Sequence, residues 1–388
     1  MIGFKDELVN NILPFWINNM QDGANGGFYG RIDGENNLHA EANKGVVLNA
    51  RILWTFSAAY RLLKDETYKA IAQRAFDYIN AYFIDKKHGG VYWELDYKGN
   101  PVNTKKQTYA QGFALYGFSE FYRATGSPEA LQLAKDFFFL LEKCYDKERG
   151  GYLEAYTEDW NPIEDMRLSD KDANEKKTMN THLHVLEPYT NLCRIWDNTE
   201  LKDAQRRLIL IFTDKILDNS NFHLNLFFDE DWNIKSPAIS YGHDIEASWL
   251  LYEAAEVLGD KDLLLKIKEL SLQIADTAGE GLQADGSLIY EKKANHMELD
   301  RHWWVQAEGV VGYMYAFKNS DKAEYLEKAE LLWKYIQTNI VDKAKGEWIW
   351  SRSPDGNINT KDDKAGFWKC PYHNSRMCFE MIEHFGYE

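Results

Sequence analysis

The segment Tyr241-Gly242-His243-Asp244-Ile245-Glu246-Ala247-Ser248-Trp249 sets an imidazole, a carboxylate and an indole at offsets i, i+3 and i+6. On a helix all three lean toward one region. Histidine has the unperturbed pKa nearest neutrality, so it takes a proton and returns it with little environmental help. Glu246 is placed to tune it, and Trp249 offers a flat apolar surface. The positive end of the helix dipole favours the neutral, proton-accepting form of His243, and Glu246 pulls the other way.

Elements that would carry such a group recur along the chain. Six turn segments, GGFYGRIDGEN, GGVYWELDYKGNP, GGYLEAYTEDWNP, LFFDEDWNIKSP, GSLIYEKKANH and GEWIWSRSPDGN, each join a short aromatic or apolar alternation to turn chemistry. They read as small hairpins or extended loops, with a period of roughly sixty residues. Between consecutive turns lie two stretches with helical apolar periodicity, such as 44–63 then 66–83, or 107–122 then 127–141. With a first helix near 4–20 and a last from about Tyr372, the pattern gives twelve helices. The joints within each pair (LKDET, TGSPEA, DNTEL, GDKDL, NSDKA) are short and polar, with good N-cap residues.

Six helical hairpins closing on themselves make an all-α (α/α)6 barrel, and the alternative is an open helical solenoid. Closure is favoured because the helices after the long turns are apolar nearly all round (GVVLNARILWTFSAAY, WVQAEGVVGYMYAF), as doubly buried helices must be. The others, such as ETYKAIAQRAFDYINAY, are amphipathic and suit an outer ring. The whole chain, 1–388, is expected to form one barrel domain, with hairpin-like loops crowding a single face around a pocket.

Near the starts of the six inner helices stand Arg51, Tyr109, Asn180 with His184, His243 with Glu246, Trp304 with Glu308, and His373. A purely structural helix prefers apolar residues there. Arg51 is flanked by apolar neighbours and needs an anionic or oxygen-rich partner. For His182, His223, His296 and His384 a hydrogen-bonded core or surface role is expected. No HExxH motif, CxxC pair, P-loop or strand-borne GxGxxG is present, so neither metal nor cofactor is expected.

Composition narrows the partners. The 388 residues are 45% hydrophobic and carry a formal net charge of -16, which repels phosphate backbones and anionic membranes. A neutral small molecule fits better. Cys144, Cys193, Cys370 and Cys378 lack disulfide spacing, the N-terminus lacks a signal pattern and no stretch approaches a membrane span, so a cytoplasmic protein is expected, and a monomer. Two reactions suit aromatic walls with acid–base groups. Glycoside hydrolysis wants two carboxylates flanking a bond. Proton abstraction beside a carbonyl wants a base, a proton donor and a cation at the enediolate oxygens, and a set rich in His with one Arg favours it.

The motifs YGHDIEASWL, RHWWVQAEGVVG, TMNTHLHVLEPY and WKCPYHNSRMC, with KGVVLNARILW, together resemble the N-acylglucosamine 2-epimerase superfamily, most closely its cellobiose 2-epimerase branch. The resemblance covers essentially the whole chain. It implies an (α/α)6 barrel and cofactor-independent epimerisation at carbon 2 of the reducing-end glucose of β-1,4-linked disaccharides, cellobiose and lactose among them. By matched motif, His243 and His373 look like the paired acid–base groups, His184 like a further essential histidine, and Arg51 like the oxyanion-stabilising arginine. Glu246 and Glu308 resemble the carboxylates that support the histidines. Trp304 and Trp368 look like sugar-stacking platforms, with Trp249, Tyr109 and Asn180 as lesser substrate contacts. The alternatives are a monosaccharide 2-epimerase or aldose–ketose isomerase of the same superfamily, and then a glycosidase on the same barrel.

Overall fold

A computed structural model describes residues 1–294 and 296–387. Six inner helices, Val46–Leu63, Thr108–Thr125, Met179–Cys193, Tyr241–Leu258, Trp303–Ser320 and His373–Phe385, pack each on the next. The last packs on the first, so the ring closes as an (α/α)6 barrel and the open solenoid is excluded. The outer helical segments run over residues 66–83, Pro128–Lys143, 199–216, Lys261–Ala278 and 323–340. The sixth outer position is filled from the other end of the chain, by residues 4–19 packing against His373–Phe385.

Sequence explains the division. In Val46–Leu63 every residue from Val46 to Ala59 is buried, because the helix touches ring neighbours on both sides and an outer helix behind. The outer helix Glu66–Tyr78 buries only Ile71, Ala72, Ala75, Phe76 and Tyr78, one stripe at helical spacing. Asp65 starts it by accepting from Thr67 N, and Lys64 ends the preceding helix in the left-handed conformation at φ 59°. Three outer segments finish in a π turn, Ile79–Phe83, Phe212–Ile216 and Ile336–Ile340, and the N-terminal one carries a π turn, Leu8–Ile12, in its middle.

The long connections all lie between an outer helix and the next inner one, as the periodicity predicts. In each sector an antiparallel bridge pins the turn: Gln21 with Phe28, Ile84 with Val91, Tyr145 with Tyr152, Leu217 with Leu224, Leu282 with Leu288, and Val341 with Trp348. Short strands then precede the inner helices, such as Lys106–Gln107 paired with Ala155–Tyr156, and Lys177–Thr178 paired with Phe227–Phe228. Each of these pairs joins one sector to the one after it.

A device not foreseen from sequence fixes these turns. Lys44 bonds Asp22, Lys106 bonds Asp85, Lys177 bonds Asp146 and Lys364 bonds Asp342, at 2.7 to 2.9 Å and with the lysines out of solvent. In the first three the lysine stands just before an inner helix. The aspartate of the turn is thus tied to the residue that launches the next helix, which sets the height of that helix in the ring. Gly151 shows how tightly sectors meet: at φ 82°, an added Cβ would lie 2.4 Å from the Trp232 ring.

Candidate active site

The inner helices begin around a cavity of about 510 Å³ lined by Arg51, Tyr109, Asn180, His184, His243, Glu246, Trp304, Trp368 and His373. Its outer wall includes Ser169, Asp172, Tyr290, His302, Trp303, Trp350 and Phe367. A second recess of about 500 Å³ shares Leu168, Lys171, Asp172, Asn180, His243 and Tyr290 with it.

Close helix packing sets the imidazoles. An added Cβ on Gly112 would lie 2.5 Å from the carbonyl oxygen of His184, so that glycine lets the second and third inner helices touch at the level of the site. His184 Nδ1 lies 2.7 Å from Glu187 Oε2, one turn further along its own helix. His373 Nδ1 lies 2.7 Å from Glu308 Oε1 on the neighbouring helix, with Glu246 Oε1 at 3.8 Å. His243 Nδ1 meets Ser240 Oγ at 2.7 Å. The remaining ring nitrogen, Nε2, of each has no protein hydrogen-bond partner among the described residues.

Beneath them lies Arg376, 1% exposed, which gathers three carboxyl groups. Its Nη2 donates to Glu246 Oε1 at 2.7 Å and to Glu308 Oε1 at 2.6 Å, and its Nη1 donates to Glu187 Oε1 and Tyr372 Oη. Tyr372 also donates to Glu187 Oε1 at 2.7 Å. Trp249 Nε1 donates to Glu308 Oε2 at 3.0 Å. Glu246 Oε2 is buried without a partner.

Burial dominates the protonation states. It holds His243 down to about 3, helped by the nearby His184, and holds His184 and His373 below the ordinary imidazole value. All three are therefore neutral near pH 7. Burial also pushes Glu246 well up, with Glu308 adding to the rise, and it pushes Glu308 up against the opposing pull of Arg376 and Trp249. For Glu187 burial is outweighed by Arg376 and His184, and its carboxyl lies below the usual range.

Arg51 stands apart. It is 3% exposed, and its partners are Tyr109 Oη at 2.9 Å and Cys370 Sγ at 3.5 Å, with the Phe113 and Tyr372 rings at 4.2 and 4.8 Å. The oxygen-rich partner expected for it is a single phenol. No carboxylate pairs with it among the described residues, and its charge faces the cavity.

Two expectations are corrected. Trp249 does not line the cavity: at 1% exposure it lies behind the site, held by Glu308, because three steps beyond Glu246 it points down into the barrel. Glu246 does not partner His243, since Arg376 draws its carboxyl toward the axis. Arg376, Glu187 and Ser240 were missed. The signal was present, for Glu187 and Arg376 follow His184 and His373 by three residues, as Glu246 follows His243. His302 also lines the cavity, its ring tilted by 38° against that of Tyr290 with centroids 4.7 Å apart. His182 and His223 are buried and hydrogen-bonded to Thr178 and Asp244, and His296 is exposed.

Two groups bring ligand-type atoms within 4.8 Å of one another, His184 with Glu187 and Glu246, and Glu246 with Glu308 and His373. In both, the carboxylates already receive Arg376, so a metal ion would compete with a guanidinium for the same oxygens.

Comparison with known proteins gives a consistent picture. The profile of the N-acylglucosamine 2-epimerase (GlcNAc 2-epimerase) family matches residues 27–376. The cellobiose 2-epimerase of Bacteroides fragilis is 55% identical over 97% of each chain, and that of Dictyoglomus turgidum is 39% identical over 97% of each. The structure of the Bacillus thermoamylovorans cellobiose 2-epimerase superposes with a TM-score of 0.95 at 41% identity, covering 98% of both chains.

Proposed function

The chain belongs to the N-acylglucosamine 2-epimerase family and is an epimerase; from that premise we propose that it inverts carbon 2 of the reducing-end glucose of β-1,4-linked disaccharides. Cellobiose becomes glucosyl-mannose and lactose becomes epilactose. The sugar ring opens, and a neutral imidazole takes the proton from carbon 2 and becomes an imidazolium. The second imidazole, which has drawn a proton from solvent, reprotonates the enediolate on its other face. The first ring then returns its proton to solvent. His243 and His373 are the pair, with His184 beside the reacting oxygens. Trp304, Trp368, Tyr109 and Asn180 hold the sugar from the cavity wall.

The observation that carries this proposal is Arg51. A carbon acid beside an aldehyde is weak, and imidazoles whose basicity is lowered by burial are modest bases. The step therefore needs a cation where charge develops. Arg51 supplies a permanent one, buried, turned to the cavity and without a carboxylate to neutralise it. A glycosidase needs an ionised and a protonated carboxyl across the bond. Here Glu187 and Glu308 are committed to Arg376 and to the histidines, which disfavours that reaction.

Cellobiose incubated in heavy water should gain deuterium at carbon 2 as the mannose epimer appears by NMR. Release of free glucose would favour a glycosidase. Fructose-type ketose without epimer would favour the isomerase. The closed ring, completed by residues 4–19, supports one catalytic unit over 1–388, which we take to act as a monomer, and sedimentation checks this. Four unpaired thiols suit a cytoplasmic, reducing setting.

A further inference from the structure

The three cavity imidazoles have two kinds of partner. His184 and His373 each place Nδ1 against a carboxylate oxygen. Glu187 also receives Tyr372 and Arg376, and Glu308 also receives Arg376 and Trp249, so every neighbour of these two groups is a donor. A carboxyl oxygen ringed by donors in this way accepts, which keeps each ring hydrogen on Nδ1 and leaves Nε2 with a bare lone pair.

His243 is held differently. Ser240 caps its helix, Oγ accepting the backbone N–H of His243 at 3.4 Å, and the same oxygen lies 2.7 Å from His243 Nδ1. Ser240 is 1% exposed, and no other hydrogen-bond partner reaches its side chain among the described residues. A hydroxyl that accepted from Nδ1 would leave its own hydrogen buried and unpaired, at a cost of about 1–3 kcal/mol.

We propose that Ser240 is a positioning residue whose hydroxyl donates to His243 Nδ1, so that the ring's single hydrogen sits on Nε2 and His243 enters the cavity as a donor beside two acceptor imidazoles. The consequence for catalysis rests on the epimerase proposal above. In the resting protein a carboxylate-backed imidazole takes the first proton. His243 becomes a base only when the Ser240 hydroxyl turns to accept and the ring hydrogen moves to Nδ1. A serine permits that exchange, whereas a carboxylate would forbid it.

The test is the imidazole tautomer, read by long-range proton–nitrogen correlation NMR of the whole protein, with His243→Gln identifying the His243 signals. The wild type and Ser240→Thr should show a protonated Nε2 at His243. Ser240→Asp, which still caps the helix but can only accept, should move the hydrogen to Nδ1. A wild-type His243 protonated at Nδ1, or a tautomer unchanged by Ser240→Asp, overturns the assignment. Ser240→Ala should lose deuterium incorporation that Ser240→Thr restores. The expected tautomers in a protein that leaves carbon 2 of cellobiose unexchanged would support Ser240's role and overturn the epimerase proposal.

Discussion

Replacing Arg376 with Met tests whether one buried cation organises the site. Arg376 is 1% exposed and donates to Glu187, Glu246, Glu308 and Tyr372. Breaking a buried ion pair by removing one partner costs about 3–5 kcal/mol. Three carboxyls lose their cation here, but the cost does not triple. Burial already pushes Glu246 and Glu308 up toward the uncharged form, and Glu308 keeps Trp249 and His373. The loss therefore falls mainly on Glu187, and about 3–5 kcal/mol is the expected total. Chemical denaturation followed by circular dichroism measures it. Acidification supplies a second check. Glu187 is held below its unfolded value, so its contribution is present above that value and lost as pH falls through the folded one. The gap between wild type and Arg376→Met should therefore narrow in strong acid. Exchange at carbon 2 should fall by about 10²–10⁴-fold, because His184 and His373 lose the ordered carboxylates behind them. A variant within about 1 kcal/mol of wild type that still epimerises at near-normal rate would refute the reasoning, since a loss that small is what a surface arginine costs.

Arg51→Met should cut carbon-2 exchange by about 10²–10³-fold. It should leave the denaturation midpoint nearly unchanged, because no carboxylate is orphaned; a large stability loss with exchange intact would reverse the assignment. His243→Gln should flatten the dependence of stability on pH between about 6.5 and about 3, the window in which the unfolded imidazole is protonated and the buried one is not. Wild-type stability falls as pH drops through that window, and an unchanged slope in the variant argues against a buried neutral His243. Lys106→Met strands Asp85 and should cost about 3–5 kcal/mol in the same denaturation assay. Trp368→Ala should raise the disaccharide KM by roughly 2- to 12-fold with kcat less affected, as loss of about 0.5–1.5 kcal/mol of ring stacking predicts.

The barrel was legible because its signals are local. Apolar periodicity separated Val46–Leu63, buried on every side, from Glu66–Tyr78, buried on one, and Asp65 and Lys64 marked the boundary between them. Arg51, His184, His243 and His373 stood out as polar groups where inner helices need apolar ones. What stayed hidden depends on which helices become neighbours. Arg376 gathers Glu187 and Glu246 across the ring, at sequence separations of 189 and 130 residues. No helical offset carries that information. Trp249 failed for the opposite reason: an i+6 offset from His243 is far enough along the helix to leave the cavity for the core.

The six-fold repeat also explains why the site can hold a free cation. Each sector contributes one inner helix start, so groups of either sign are delivered separately and balanced only in three dimensions. The guanidinium of Arg376 is opposed by Glu187, which it holds below the usual carboxylate range, while burial pushes Glu246 and Glu308 up. With the imidazoles neutral as well, the carboxyl groups lie with Arg376 and, among the described residues, none lies with Arg51. Negative charge forming on a sugar oxygen in the cavity would find Arg51 open and the carboxylates already satisfied. The ground-state sugar is uncharged and gains little from this arrangement. The enediolate gains most, and an interaction stronger in the transition state than in the ground state is the one that accelerates a reaction.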